Sequence, residues 1–239
     1  MVKSTLTLCH LYHRNMNIYG DTGNVRTLEY RLRARGMQAV VVQCEVGEPL
    51  PKDVDIIVAG GGQDSGQLLV EKDLQKKQRE LTSMAEDGVV MLTICGTYQL
   101  FGHRFVTYDK QTIKGIGIFD LETRGSDERL IGNVIVDSSF GQLVGFENHS
   151  GKTLLGAQQQ PLGQVVKGAG NNGQSGEEGA VRNNIFGTYM HGPILPKNPH
   201  LADELLTRAL ERKFGEVKLS TLPDLEEHAA AKIAKSRPR

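Results

Sequence analysis

Charge imbalance, long apolar runs and paired cysteines are all missing from this chain. Its 28 basic and 28 acidic side chains cancel. That balance argues against a phosphate-tracking nucleic-acid binder, which needs a basic surface. No stretch approaches the roughly 20 consecutive apolar residues of a membrane-spanning helix. The opening segment MVKSTLTLCHLYHRN has a short apolar run but no small-residue cleavage site, so no secretory leader is expected. Cysteine is scarce. The three thiols are an odd number without disulfide-like spacing, as expected of a reducing, cytoplasmic compartment. No internal repeat and no dividing linker is visible. The 239 residues read as one domain, 1–239, ample for a substantial core.

What is present alternates. TLTLCHLY reads as a strand. VRTLEYRLRARG follows with Val25, Leu28 and Leu32 at helical spacing and Gly36 as a C-cap. QAVVVQCEV and VDIIVAGGG are further strands. SGQLLVEKDLQKKQRELTSMAEDG is a long amphipathic helix, and VVMLTIC is a fourth strand. Strand and helix in turn predict right-handed βαβ units and a mostly parallel sheet with helices on both faces. Ligands of such sheets bind beyond the carboxyl ends of the strands, where AGGGQDSG and CGTYQ should lie. The second half is richer in strands: IKGIGIFDLETR, RLIGNVIVD, QLVGFEN and AVRNNIFGTYMHG. GAGNNGQSGEEG, residues 168–179, reads as a mobile loop. LADELLTRALERKFG closes the fold as a helix, and the basic tail, about 226–239, reads as a frayed end.

Cys9 and Cys44 fall inside strand-like runs and read as small buried side chains. Cys95 instead ends its run, with Gly96 next and a short helical segment beyond. A thiolate is the nucleophilic form of cysteine, favoured by a helix N-terminus or a nearby histidine. A strand-to-helix turn presents such a side chain sharply. Gly96 lets the chain turn and lets its own N–H face a developing oxyanion. The junction suits a covalent acyl-transfer nucleophile. A cysteine that merely fills the sheet edge is the plainer alternative.

TICGTYQLFG resembles the nucleophile turn of class I glutamine amidotransferases, with Cys95 and Gln99 matching and Thr93 and Thr97 standing where glycine is usual. It is most similar to the cobyric-acid-synthase-like branch. AGGGQD resembles the glycine loop of that class, which supplies a second oxyanion-hole N–H, here from Gly61 or Gly62. GTYMHGP resembles the strand that brings in the catalytic histidine, here His191. YGDTGN, GFENHSGKT and GAGNNGQSGEEG, in that order, are similar to one subfamily over nearly the whole chain: the glutamine amidotransferase subunits of lipid II isoglutaminyl synthases.

The resemblance implies a flavodoxin-like, mostly parallel sheet flanked by helices, and a glutaminase with L-glutamine as substrate. It implies Cys95 as nucleophile, His191 as base, Gly62 and Gly96 as the oxyanion hole, and Arg129, Gln99 and His149 at the substrate. Arg129 would clamp the α-carboxylate. His149 reads as pocket wall or as a structural turn. Pro193 stands where the class carries a glutamate, two residues after the histidine, which implies a Cys–His dyad. His10 and His13 follow the first strand, and His103, His200 and His228 read as surface.

HSGKT invites a phosphate-loop reading, but five residues separate Gly145 from Gly151 where Walker A needs four, and LLGAQQQP is a poor helix. No metal cluster and no cofactor site is expected in this chain. Amidation needs activation, so ATP is expected on a partner, by resemblance a MurT-type Mur ligase forming a heterodimer. That partner would amidate the D-glutamate α-carboxylate of membrane-bound lipid II. A cobyric or cobyrinic acid-type amidotransferase is the first rival. Such chains usually carry a fused N-terminal ATP-binding domain, whereas here the strand pattern begins at once. A stand-alone cysteine hydrolase and a non-catalytic module that stabilises a ligase are the others.

Overall fold

A computed structural model describes residues 4–238. The first half runs β1 (Thr5–Leu11), α1 (Thr22–Arg33), β2 (Gln38–Cys44), β3 (Ile56–Ala59), α2 (Asp64–Glu86), β4 (Val90–Ile94) and α3 (Gly96–Leu100). Then come β5 (Arg104–Val106), β6 (Thr112–Lys114), β7 (Leu121–Ser138), β8 (Gly141–Leu155), β9 (Gly163–Lys167) and β10 (Glu177–Glu178). The chain ends with β11 (Ala180–Arg182), β12 (Ile185–Thr188), α4 (Pro199–Phe214) and α5 (Leu225–Ser236).

The first sheet has the order β11-β12-β4-β3-β1-β2, and all its neighbours are parallel except β11 with β12. Its central strands β3 and β4 are buried at every residue, as strands covered on both faces must be. The edge strand β2 is mostly exposed. From β1 to β2 the chain steps one way across the sheet, and from β3 to β4 it steps the other. Right-handed crossovers therefore put α1 and α2 on opposite faces. The second sheet is β10-β9-β7-β5-β6, with β8 paired to β7 as a long antiparallel hairpin. A bridge between Phe146 of β8 and His191 joins the hairpin to the carboxyl edge of the first sheet.

Four expectations change. IKGIGIFDLETR is not one strand. Gly115 and Gly117 break it, because a β-carbon at Gly115 would meet the Gly102 carbonyl at 2.0 Å and Gly117 has φ +68°. AVRNNIFGTYMHG is a hairpin turned at Asn183, whose φ of 53° is one that asparagine tolerates. The 168–179 loop is built into the fold rather than loose. Glu147 accepts the Ala169 and Gly170 N–H groups at 2.7 and 2.8 Å, and Asn172 donates to the Thr153 carbonyl at 2.9 Å. Asn171 accepts from the Tyr98 hydroxyl at 3.1 Å and from the Gly179 N–H at 2.9 Å.

The tail is a helix, not a frayed end, although none of its residues is buried. Its anchor is Arg31 on α1. That buried guanidinium pairs side-on with Asp203 of α4 at 2.6 and 2.7 Å and with Asp224, the residue before α5, at 2.6 and 3.0 Å. Two carboxylates and a planar fork satisfy each other in a geometry lysine could not copy. Arg239 of the expected tail lies outside the described residues. Among the described residues, no helix is long and apolar enough to cross a membrane.

Candidate active site

Cys95 sits between β4 and α3 with φ 51° and ψ −104°, a strained conformation for a non-glycine residue. Its surroundings over-determine it. The Cys95 N–H donates to the Thr188 carbonyl at 2.8 Å, and the Cys95 carbonyl accepts from the Gln99 N–H at 3.0 Å. Thr97 needs no glycine-like freedom. Its hydroxyl lies 2.6 and 2.9 Å from the Ala59 and Gly60 carbonyls and accepts from the Ile94 N–H at 3.1 Å. It thereby ties the turn to the end of β3.

The glycine loop after β3 closes on this turn. A β-carbon built at Gly96 would stand 3.1 Å from the Gly62 nitrogen, and one at Gly61 would stand 3.2 Å from the Cys95 β-carbon and 3.1 Å from Cε1 of His191. Gly61 is thus wedged between cysteine and histidine, and the Gly62 nitrogen lies beside Gly96. Met16 packs beneath both Gly62 and Gly96, leaving no room for a side chain at either.

His191 lies three residues past β12, buried, held by two backbone hydrogen bonds to Phe146, with its ring against Tyr19 at 4.1 Å between centroids and tilted by 48°. Neither of its ring nitrogens has a hydrogen-bond partner. Pro193, in the usual glutamate place, packs against Gly23, where a β-carbon would meet it at 2.3 Å.

A cleft of about 380 Å³ opens on Cys95 and is lined by Arg129, Gln99, His149 and Tyr19 among others. Arg129 lies at the rim, beside the irregularity in the β7–β8 ladder, and donates through Nε to Asn148 Oδ1 at 2.6 Å. His149 is buried and stacks flat on Tyr189 at 3.6 Å. Its Nδ1 lies 2.7 Å from the Gly151 carbonyl, which makes Nδ1 the donor and leaves Nε2 as an acceptor. Gln99 lines the cleft, but its amide is already engaged, donating to the Tyr189 hydroxyl at 3.0 Å and accepting from Gln67 at 2.7 Å. A second cavity of about 440 Å³ meets His191 from the side of α5, and Tyr19 lines both. The Gly-Lys-Thr of HSGKT lies within β8, with Lys152 on Glu128, so no phosphate loop forms there.

The electrostatics depart from expectation in one respect. The thiol is buried rather than exposed, and burial, then the negative charge of Asp21, push it up to about 12. Burial likewise brings His191 down to about 3 and His149 to about 4. Cysteine and histidine therefore rest as neutral thiol and neutral imidazole, not as a preformed ion pair. A neutral imidazole with both nitrogens unpartnered is able to accept a proton. Among the described residues, no three His, Cys, Asp or Glu side chains cluster as a metal would require.

Of the residues singled out in the sequence, Cys95, Gly62, Arg129, Gln99 and His149 line one cleft, Gly96 lies beside Gly62 and His191 comes up against Gly61; Asp21, Tyr19 and Tyr189 were not singled out. Asp21 is fully buried and accepts the Gly61 N–H at 2.8 Å. Its motif, YGDTGN, was visible, but nothing in it discloses where the carboxylate points.

Residues 7–199 match the family model of the CobB/CobQ-like glutamine amidotransferase domain. The chain is 42% identical over 212 residues to the lipid II isoglutaminyl synthase (glutamine-hydrolyzing) subunit GatD of Staphylococcus aureus, covering 87% of this chain and 86% of that one. It is 38% identical over 225 residues to the GatD subunit of Streptococcus pneumoniae, covering 92% and 86%. A solved glutamine amidotransferase from Thermotoga maritima superposes with a TM-score of 0.55 at 14% identity, covering 96% of this chain and 93% of that one, a likeness of fold. The cysteine turn, the glycine loop beside it and the histidine across from it thus stand on the scaffold of a known family, and the chain belongs to the CobB/CobQ-like glutamine amidotransferases.

Proposed function

We propose that this chain is the glutaminase subunit of a lipid II isoglutaminyl synthase. It hydrolyses L-glutamine and supplies ammonia to a MurT-type Mur ligase in the cytoplasm. That partner carries ATP and amidates the D-glutamate α-carboxylate of the lipid II stem peptide to D-isoglutamine. The observation that carries the reading is the meeting of three pieces: Cys95 and Gly62 line the cleft that also holds Arg129, the Gly62 nitrogen lies beside Gly96, and His191 and Cys95 both come up against Gly61.

The steps follow from the geometry. Arg129 pairs with the substrate α-carboxylate, and His149, backed by the stacked Tyr189 ring, walls the cleft. Cys95 Sγ attacks the side-chain amide carbon while its proton passes to His191. The amide oxygen becomes an oxyanion facing the Gly62 and Gly96 N–H groups, donors held in place before the reaction and so costing no reorganisation. The C–N bond breaks, and the leaving nitrogen takes the proton from His191 and departs as ammonia. Water then attacks the γ-glutamyl thioester with His191 as base, releasing glutamate and restoring the thiol. A two-subunit arrangement suits this chemistry, because ammonia released to bulk water is protonated and diluted.

The test is ammonia release from glutamine by the chain alone and with its ligase. Release that disappears with Cys95→Ala is expected, and it should rise on adding the ligase. No glutamine-dependent release in either state would overturn the reading and leave a non-catalytic stabiliser.

A further inference from the structure

The segment NIYGDTGN, residues 17–24, supplies none of the reacting groups, yet it touches the glycine loop at its most sensitive point. Ile18 N–H donates to the Gly61 carbonyl at 3.1 Å. Asp21 Oδ2 accepts the Gly61 N–H at 2.8 Å. The carbonyl of Gly61 and the N–H of Gly62 belong to one peptide unit. In a trans peptide these two groups point in opposite directions, and the chain has no cis peptide among its described residues. Holding the Gly61 carbonyl toward Ile18 therefore turns the Gly62 N–H the other way, toward Gly96. Holding the Gly61 N–H on Asp21 fixes the preceding peptide. Between them the two bonds set both planes that flank Gly61.

The brace is itself stiff. Asn17 accepts the Thr22 N–H and donates to its hydroxyl, both at 2.9 Å. Asn24 accepts the Leu195 N–H at 3.0 Å, so the same segment reaches the chain just past His191. Gly60 lies so close that a β-carbon there would meet the Met16 carbonyl at 2.3 Å and Asp21 Oδ2 at 2.5 Å. Asp21 precedes α1, yet its side chain makes no capping hydrogen bond to that helix. A fully buried carboxylate that forgoes the cap and turns instead to a loop glycine is costly unless that contact has a purpose.

We propose that Asp21 is the positioning residue of the oxyanion hole: by holding the peptide before Gly61, together with the Ile18 bond to the peptide after it, Asp21 aims the Gly62 N–H at the oxyanion of the tetrahedral intermediate. This rests on the reading that Cys95 is the nucleophile and Gly62 a donor. Asp21 touches neither substrate nor thiol in this role. It acts through the backbone.

Two substitutions and two reagents test it. The active-site content of each preparation is first counted with an electrophilic glutamine analogue. Per active site, Asp21→Ala should lower kcat for glutamine by roughly 100-fold, the scale for losing one oxyanion donor, with KM within about threefold. Asp21→Asn keeps an acceptor oxygen and should return kcat to within about tenfold of wild type. Alkylation of Cys95 by iodoacetamide forms no oxyanion, so its rate should not fall in either variant; it should hold or rise, because the negative charge that adds to burial in pushing the thiol up is gone. A merely structural role would lower the active-site count and leave kcat per site untouched. Where alanine leaves too little folded chain, Asp21→Ser is judged by the same criterion. Near-wild-type kcat per site in Asp21→Ala overturns the proposal, as does alkylation that falls in step with kcat, which would place the effect on the thiol. If instead Cys95→Ala retains glutaminase activity, it is the underlying reading that fails.

Discussion

Cys95 and His191 both come up against Gly61, by different means. The cysteine is held by its own neighbourhood: a strained turn pinned by the Thr188 carbonyl, the Gln99 N–H and the Thr97 hydroxyl, two of them within four residues. The histidine is held from afar. Its backbone hangs on Phe146 of the long hairpin, its ring rests on Tyr19 from the first loop, and its ring nitrogens have no partner. On the proposed reading, the nucleophile is thus preset by local chain geometry, while the base is confined without being oriented by a carboxylate. The difference teaches that precision here was placed where charge develops, at the thiol and the oxyanion donors. The imidazole is kept neutral by burial, able to accept the proton that the Cys95 thiol gives up when substrate is attacked.

The largest test of that contrast is deletion of either partner. In the isolated chain, Cys95→Ala should abolish glutaminase activity, a loss of at least about 10⁴-fold, and His191→Ala should come within about tenfold of it, because the two act as one unit. No single Asp or Glu substitution should be as severe. A carboxylate whose loss matched His191→Ala in steady-state glutamine hydrolysis would show that the imidazole is oriented after all.

Next in size is Arg129→Lys. The guanidinium is anchored on Asn148, and a lysine cannot reproduce a two-pronged grip on a carboxylate. KM for glutamine should rise about tenfold or more with kcat little changed. A fall in kcat at constant KM would move Arg129 from substrate binding to chemistry.

A smaller effect concerns the resting charge state. With Cys95 pushed up to about 12, the thiolate fraction keeps growing with pH across the neutral and mildly alkaline range. Alkylation of Cys95 by iodoacetamide, followed by mass spectrometry, should climb about tenfold per pH unit from 7 to 10 without levelling. An ordinary thiol would level near pH 9. A plateau already at pH 7 would mean a preformed thiolate–imidazolium pair.

The smallest expected change in activity accompanies Arg31→Ala. It strips Asp224 of its guanidinium partner, leaves Asp203 with Arg35 alone and loosens α4 and α5, costing about 2–4 kcal/mol of stability. Folded protein should keep kcat near wild type, since Cys95 and the glycine loop lie elsewhere. A collapse of kcat in folded protein would show that α5, which lines the cavity beside His191, helps hold the base.

How far the sequence could be read follows the same division. β1 to β4, the long helix α2 and the Cys95 turn were legible because each is encoded by contiguous periodicity and a glycine in place. Gly62 and Gly96 were legible for the same reason. The hairpin at Asn183 was misread as one strand because an asparagine turn leaves little mark inside an apolar run. The 168–179 loop looked loose because its glycines and asparagines are polar. Their partners, Glu147, Tyr98 and Thr153, lie far off in sequence. The tail looked frayed because its anchor is Arg31, some two hundred positions earlier. Asp21 was hidden likewise, since a buried carboxylate reaching a loop glycine forty residues away has no local signature. The neutral resting thiol was out of reach because burial decides it.

The central claim is that this chain makes ammonia and leaves its use to a partner. The most direct measurement takes the Cys95→Ala chain in complex with its MurT-type ligase, with ATP and lipid II, and follows amidation by mass spectrometry. With glutamine as the only nitrogen source no amidated product should form. With ammonium salt at a pH high enough to populate free ammonia, amidation should return, because only the nitrogen supply was removed. If ammonium fails to rescue while the complex stays assembled and binds ATP, this chain contributes to the acceptor chemistry itself, and the division of labour is contradicted.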